Sequence, residues 1–299
     1  MSWRTIVITK RAKLDLQLGF MVVRGEDTTK VALNEIAVVL IESTAVSLTT
    51  SLLAELTKRK VKVIFCDEKR NPSSELVSYY GSHDTSNKIR KQIAWRQNTK
   101  EAVWTEIVSE KIRKQKELLE LLGKEEAELL SSYLQQIAWN DETNREGHAA
   151  KVYFNALFGL DFTRTEDNLI NAALNYGYSI ILSSFTREIV ANGYITQLGL
   201  FHDNMFNQFN LASDLMEPFR PYVDYTVAKM DLHQFEHPEK MQLVQILNRC
   251  VEIDGRTQYL INAAKIYSKS IFEALNENDI SQIRFPEYEL QIYENDTVF

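Results

Sequence analysis

The spacing of apolar residues changes near position 82, and this change predicts two domains. Before it, apolar and polar residues alternate with the two-residue period of a half-buried strand, as at Leu14 and Leu16. After it, apolar residues recur every three or four positions, which is the period of an amphipathic helix. We therefore expect an α+β protein with a small β-rich domain over residues 1–82 and an all-α domain over residues 83–299.

The same pattern predicts where the elements lie. In the first part we expect one helix over residues 49–60 and strands over residues 5–9, 14–18, 20–23, 30–33, 36–41, 61–66 and 76–80. In the second part we expect helices over residues 88–122, with a break near 97–100, and over residues 125–139, 141–158, 168–192, 206–227, 241–253 and 258–276. Pro218 and Pro221 should kink or split the helix that contains them.

Composition places the chain among ordinary globular proteins. Hydrophobic residues make up 44% and charged residues 25% of its 299 residues. Apolar runs such as residues 36–41 are too short to span a membrane, and the N-terminus lacks the pattern of a signal peptide, so we expect a cytoplasmic protein. Neither Cys66 nor Cys250 stands in a C-x-x-C pair, so we expect two buried thiols rather than a zinc or redox site.

Positive charge is concentrated in one segment. The whole chain carries a net charge of −7, which argues against a general nucleic-acid binder. Residues 85–116, however, hold nine basic residues and only three glutamates, a local charge of +6. Such a segment is a candidate face for DNA phosphates, through Lys88, Arg90, Lys91 and Arg96. The alternative is a solvated helix surface with ion pairs between residues one turn apart.

Candidate chemistry is concentrated between His202 and Arg220. Asp214 and Glu217 are three positions apart and would share one face of a helix. Imidazole and carboxylate together suit Mg²⁺ or Mn²⁺, and neighbouring acids repel each other unless a cation lies between them. A metal close to an arginine is suited to phosphodiester chemistry, in which negative charge builds on phosphate oxygens. The alternative is a pair of surface acids and a loop histidine.

A further ligand should come from another helix, and Glu146 is the best candidate. It shares a helix face with Ala149 and Tyr153, so its carboxylate should point inward, where acids are normally paired or metal-bound. His148 lies two positions further on, close to the opposite side of the helix, and is excluded as a co-ligand.

Arg220 leaves two interpretations open. It could bind a phosphate through paired hydrogen bonds, or it could pair with Asp224 one turn later as a structural bridge. The sequence contains neither a glycine-rich phosphate loop nor a G-x-S-x-G motif, which disfavours other common chemistries. The residues alone therefore favour a metal-dependent enzyme that acts on DNA.

Three segments resemble one known family. They are residues 3–16, which begin Trp3-Arg-Thr-Ile-Val-Ile-Thr-Lys, residues 145–159, and residues 198–224 with the motif Asp214-Leu-Met-Glu217-Pro-Phe-Arg-Pro. On these motifs the chain resembles the CRISPR-associated spacer integrases, in particular their type II form. The resemblance extends over essentially the whole chain.

The resemblance implies a site and a reaction. Glu146, His202 and Glu217 would be the metal ligands and Asp214 would support them; many members carry aspartate where Glu217 stands, and either acid can bind a metal. The β-rich domain would dimerise and the helical domain would be catalytic. With Mg²⁺ or Mn²⁺, the enzyme would insert short DNA fragments into a CRISPR repeat array by attack of a 3′-hydroxyl on a phosphodiester. With water as the nucleophile it would be an endonuclease.

The resemblance also implies partners. The protein would be a homodimer, and a dimer of a small ferredoxin-like CRISPR-associated protein would bridge two such dimers. The complex would hold double-stranded DNA with 3′ ends and CRISPR repeat DNA, with no membrane partner. In type II systems a ring-shaped DNA-clamping protein and the effector nuclease also take part. Two alternatives remain: a metal-dependent nuclease that only degrades DNA, and a non-catalytic DNA-binding scaffold that uses residues 88–116.

Overall fold

The computed structural model describes residues 3–79 and 81–287. Strands dominate the N-terminal part and helices dominate the remainder, which confirms the expected α+β class. The boundary expected between residues 82 and 83 stays a prediction. The strands are β1 Arg4–Ile8, β2 Ala12–Gln17, β3 Phe20–Arg24, β4 Thr28–Ala32, β5 Ile36–Ile41, β6 Val46–Leu48, β7 Lys62–Cys66, β8 Pro72–Leu76, β9 Cys250–Ile253 and β10 Arg256–Tyr259.

Among the residues that the structure describes, one helix lies in the N-terminal part and nine follow it. They are α1 Thr50–Lys58, α2 Thr85–Ile93, α3 Gln97–Leu121, α4 Ala127–Gln135, α5 Arg145–Phe158, α6 Leu169–Ala191, α7 Asn210–Leu215, α8 Arg220–Lys229, α9 His237–Val244 and α10 Leu260–Glu277. A 3₁₀ turn, Glu217–Phe219, joins α7 to α8. Helix α6 is largely buried and contacts α7, α8, α9 and α10, which makes it the central helix. Within the described ranges, none of the helices combines the length and apolar character that crossing a bilayer requires.

In the described N-terminal residues, the strands form two four-stranded sheets. One has the order β1-β5-β7-β8, in which only β8 is antiparallel to its neighbour, and the other has the order β4-β3-β2-β6. Strand β5 is buried along its whole length, as expected of a parallel strand that is covered on both faces. Val38 and Leu40 belong to the core shared with the helices, whereas Val39 and Ile41 belong to the core of the N-terminal part. This strand therefore connects the two cores through alternate side chains.

Several predicted elements have different bounds in the structure. The strand expected over residues 76–80 lies earlier, as β8, and Tyr80 is outside the described residues. The helix expected over residues 88–122 is divided at 94–96 rather than at 97–100. The split expected at Pro218 is confirmed, because this residue lies in the 3₁₀ turn between α7 and α8.

The helix expected over residues 241–253 is wrong at its C-terminal end. Strand β9 occupies this end and pairs with β10, so the second part is not entirely helical. Asp254 and Gly255 form the turn between them with positive φ angles of 54° and 67°. Asp-Gly is one of the strongest sequence signals for a two-residue hairpin turn, and this signal outweighs the helical spacing that precedes it.

The two cysteines differ in exposure. Cys66 is buried at the end of β7, as expected, and burial raises the pKa of its thiol to about 12. Cys250 is exposed on β9, so the expectation of a buried thiol is wrong there. The cause is the misassigned helix, which placed this residue on an inner face.

A buried carboxylate ties three helices of the second part together. Asp224 on α8 is fully buried and accepts hydrogen bonds from the hydroxyls of Tyr153 on α5, at 2.9 Å, and of Tyr178 on α6. Burial raises the pKa of Asp224 to about 6 even though both hydroxyls oppose the shift. Because α5 carries Glu146 and α8 follows Glu217, these hydrogen bonds fix the relative positions of the elements that carry the candidate acids.

The raised pKa of Asp224 gives the stability of the protein a specific pH dependence. The folded-state pKa of about 6 lies above the ordinary value of 3.8, so the contribution of Asp224 is fully present below about pH 4 and is lost as the pH rises through 6. Denaturant unfolding should therefore show the wild type losing about 2 kcal/mol relative to Asp224→Asn between pH 4 and pH 7.

The control for this measurement is Asp27→Asn, which changes an exposed carboxylate in the N-terminal part. Its difference from the wild type should stay within about 0.5 kcal/mol across the same pH range. A difference between wild type and Asp224→Asn that does not change with pH would contradict the raised pKa.

Candidate active site

The start of α5 determines where Glu146 lies. The carboxylate of Asp141 accepts hydrogen bonds from the backbone N–H groups of Arg145, at 2.7 Å, and Glu146, at 3.0 Å, so it caps a helix that begins four residues after it. Asn140, Asp141 and Asn144 have positive φ angles of 56°, 49° and 51°. Such angles are costly for residues other than glycine and persist only where surrounding contacts fix the chain. The strained turn thereby sets the position of Glu146.

Asp214 holds the loop that carries His202. Its fully buried carboxylate accepts hydrogen bonds from the backbone N–H groups of Leu200 (2.6 Å), Phe201 (3.3 Å) and His202 (3.1 Å). The same carboxylate lies 2.5 Å from Nδ1 of His202. Because Nδ1 is engaged in this way, Nε2 is the ring nitrogen that is left to bind a ligand.

Both candidate acids lie close enough to His202 to change the pKa of its ring. The hydrogen bond with Asp214 raises the pKa of His202, and burial opposes this shift. The negative charges of Glu217 and Glu146 raise the pKa further, so both acids lie within electrostatic reach of the ring.

Tight packing supports the same loop from two sides. A Cβ atom on Gly199 would lie 2.3 Å from the carbonyl oxygen of His202 and 2.7 Å from Oδ2 of Asp214, so only glycine fits there. The ring of Phe201 stacks on the buried ring of Trp104, with 4.5 Å between centroids, and the imidazole of His202 meets the same indole edge-on at 5.8 Å. Helix α3, which carries Trp104, therefore also orients the histidine.

Lys111 on α3 joins the two candidate acids. Its Nζ lies 2.6 Å from Oε1 of Glu146 and 2.5 Å from Oε2 of Glu217. The side chains of Lys111 and Glu217 are 8% and 3% exposed, so their interaction is shielded from water. Two acids that are far apart in the sequence are therefore held around one positive charge.

Arg220 supplies a second positive charge. Its Nε donates a hydrogen bond to Oε1 of Glu217, at 2.9 Å, and its guanidinium lies 4.6 Å from the ring centroid of Tyr178. Burial by itself raises the pKa of Glu217, but the charges of Arg220 and Lys111 outweigh it and lower that pKa to about 2. The structural partner of Arg220 is thus Glu217 rather than Asp224, while a role in phosphate binding stays a prediction.

The donor set fits a divalent cation in its chemistry. Glu146, Glu217 and His202 offer two carboxylates and an imidazole, which suit Mg²⁺ or Mn²⁺, and the carboxylates already share one cation in the ammonium of Lys111. Across residues 3–79 and 81–287, no three His, Cys, Asp or Glu side chains are grouped so that they could hold a metal ion as they stand. The ligand roles of the three residues therefore stay a prediction.

The basic segment is divided between the surface and the interior. In its second part, Lys111 and Lys114 are buried in ion pairs, whereas Arg113 is exposed. The segment therefore does not form one continuous basic face, and the four residues expected to meet DNA phosphates lie in its first part. Of these four, Arg90, Lys91 and Arg96 are exposed and Lys88 is half-buried.

Lys111 was counted among the nine basic residues of the segment, but the sequence did not single it out as a site residue. It lies seven positions after Trp104 and seven before Leu118, both of which are fully buried, and so it occupies the inner face of α3. A lysine on such a face requires an acidic partner. This periodicity was the available signal, and the local excess of basic residues concealed it.

Comparison with known proteins agrees with this fold. Residues 5–239 match the family described as CRISPR associated protein Cas1. The chain is 32% identical to the CRISPR-associated endonuclease Cas1 of Neisseria meningitidis serogroup C (strain 8013) over 300 residues, which cover 96% of this chain and 97% of that protein.

Solved structures share the fold at lower identity. A casposase bound to its integration product matches with a TM-score of 0.77 and 17% identity, over 100% of this chain and 96% of that chain. A chain of a Cas6-RT-Cas1–Cas2 complex matches with a TM-score of 0.70 and 17% identity, over 94% of this chain and 36% of that chain. Because the family match spans well over half of the sequence, this chain belongs to the CRISPR-associated Cas1 family.

Proposed function

We propose that this chain is a metal-dependent DNA endonuclease and integrase of CRISPR adaptation. With Mg²⁺ or Mn²⁺, it inserts short foreign DNA fragments into a CRISPR repeat array. The proposal rests mainly on one observation in a chain of the Cas1 family: the carboxylates of Glu146 and Glu217 both contact the ammonium of Lys111. Its Neisseria relative is named an endonuclease, and the casposase structure holds an integration product, which supports both activities.

Each side chain of the site has a role that follows from its contacts. Glu146, Glu217 and His202 would hold the metal, His202 through Nε2 because Asp214 engages Nδ1. Asp214 is a positioning residue, since it fixes both the ring and the backbone of the loop. When bound there, a divalent cation would supply positive charge against the negative charge that builds on the phosphate oxygens. Arg220 keeps a quarter of its side chain exposed and donates its remaining N–H groups to a phosphate oxygen.

The nucleophile decides between integration and cleavage. In integration, the 3′-hydroxyl of the incoming fragment loses its proton and bonds to phosphorus, while the bond from phosphorus to the 3′-oxygen of the repeat strand breaks and that oxygen gains a proton. With water as the nucleophile, the same displacement leaves a cleaved strand. A fragment that lacks its 3′-hydroxyl separates the two activities, because it stops integration and leaves cleavage unaffected.

Two further parts of the proposal concern assembly. Residues 1–82 form a dimerisation domain and residues 83–299 a catalytic domain, and a dimer of a small ferredoxin-like partner of the Cas2 type bridges two homodimers. The shared fold with a chain of a complex that contains Cas1 and Cas2 supports this partner. The similarity to the Neisseria protein supports the type II form, in which the DNA-clamping ring protein and the effector nuclease also take part.

Substitution of the three ligands should remove catalysis. Glu146→Gln, His202→Ala and Glu217→Gln each take away one donor, so Mn²⁺-dependent transfer of a 3′-hydroxyl fragment into a supercoiled target should fall by roughly 100-fold or more. Strand transfer is measured as conversion of the supercoiled DNA to joined and relaxed products on gels. Thermal unfolding checks that each variant is folded.

Matched controls for these variants are Glu142→Gln and His148→Ala. Both side chains are exposed near the start of α5, and His148 contacts the ring of Tyr133 instead of the site. Both variants should keep strand transfer within about twofold of the wild type. Normal strand transfer by any ligand variant would reject that residue's role, and a wild type that binds DNA without any chelator-sensitive reaction would favour the scaffold alternative.

The exposed basic residues around α2 should set the salt dependence of DNA binding. Combined replacement of Arg90, Lys91 and Arg96 by alanine removes three surface charges. If each of them contacts a phosphate, the slope of log K against log salt concentration should become less steep by about 2 to 3 units. Fluorescence anisotropy with labelled duplex DNA at several salt concentrations measures this slope.

The control for the salt experiment removes three exposed lysines from the N-terminal part, Lys13, Lys30 and Lys58. It changes the net charge by the same amount, so it separates local phosphate contacts from the overall charge of the protein. An unchanged slope in the α2 variant, or an equal change in both variants, would contradict a DNA-binding role for this surface.

A further inference from the structure

We infer that the ammonium of Lys111 is the resident counter-ion of the candidate metal site, and that a divalent cation must displace it in order to bind Glu146 and Glu217. This inference rests on the proposed function, because it concerns the same two acids. It adds a residue that the ligand set does not include, and it makes metal binding a competition between two cations.

The geometry of Lys111 is that of a shared counter-ion. Its Nζ contacts one oxygen of Glu146 at 2.6 Å and one oxygen of Glu217 at 2.5 Å. The lysine comes from α3, whereas the acids come from α5 and from the turn before α8, so a single charge connects three separate elements. The backbone of α3 is buried around this point, since Ile107, Val108 and Ile112 have no exposed surface.

The site needs a positive charge when no metal is present. The side chain of Glu217 is 3% exposed and that of Glu146 is 21% exposed, so water solvates their charges only weakly. Arg220 contacts Glu217 through Nε, and without Lys111 one guanidinium would face two carboxylates. Mutual repulsion would then separate the acids or destabilise the fold.

Lys111 and a divalent cation compete for the same oxygens. A metal ion bound by Glu146 and Glu217 takes up the lone pairs that the ammonium now uses. In a site with little water the two positive charges also repel each other strongly. The lysine side chain is long and flexible, so it can move away from the acids without a change in α3.

Lys111→Met tests this competition directly, because methionine fills similar space without a charge. The metal-free variant should melt roughly 5–10 °C below the wild type, since two acids lose their shared partner. Its affinity for Mn²⁺, measured by isothermal titration calorimetry without DNA, should rise by about tenfold or more. Addition of Mn²⁺ should therefore raise the melting temperature of the variant more than that of the wild type.

Lys114→Met is the matched control. Lys114 lies on the same helix and is as buried as Lys111, and it pairs with Glu110 and Glu117 rather than with the site. This control also removes a buried positive charge, but it should leave the Mn²⁺ affinity within about twofold of the wild type.

The outcomes separate this inference from the proposed function. If the wild type binds Mn²⁺ and Lys111→Met binds it equally or more weakly, the competition is rejected while the metal site stands. If neither protein binds Mn²⁺, the metal-dependent function and the competition both fail. If the methionine variant does not fold, Lys111→Gln replaces it, because its amide can donate hydrogen bonds to the acids without a charge; the same rise in affinity is expected, and its absence rejects the inference.

Discussion

A buried carboxylate is stable only beside a positive charge or a set of hydrogen-bond donors, and the helical part of this protein is organised around that constraint. Transfer of each ion from water into the protein costs several kcal/mol. Oppositely charged partners and hydrogen bonds at close range must offset this cost. Glu217 meets this requirement through Lys111 on one side and Arg220 on the other. The same lysine also binds Glu146. The need of Glu217 for a positive charge therefore brings α3, α5 and the turn before α8 together.

Three further carboxylates hold this arrangement in place, and each is satisfied in a different way. Asp141 accepts N–H groups at the start of α5 and thereby orients Glu146. Asp214 accepts three backbone N–H groups and the ring of His202, which fixes both the loop and the nitrogen left for a ligand. Asp224 joins α5, α6 and α8 through two tyrosine hydroxyls. The candidate active site is thus a set of candidate ligands whose positions depend on neighbouring acids.

Local patterns in the sequence were sufficient for most elements, but the set of candidate ligands also needed the family resemblance. Alternation predicted the early strands, and the chemistry of carboxylate and imidazole, with the family resemblance, pointed to Glu146, His202 and Glu217. The pairing of Lys111 with two acids was not predictable in this way, because it depends on how three helical elements pack. The β9–β10 hairpin was missed for the opposite reason, since the local Asp254-Gly255 turn outweighed a helical pattern that continued into it.

The central claim is that Glu146, His202 and Glu217 bind one divalent cation. Anomalous X-ray scattering from crystals grown with Mn²⁺ measures this most directly. We expect a single peak about 2.2 Å from Nε2 of His202 and from a carboxylate oxygen of each glutamate, with the ammonium of Lys111 moved away from the acids. Crystals saturated with Mn²⁺ in which this position shows no peak, and Lys111 still bridges the two carboxylates, would contradict the account.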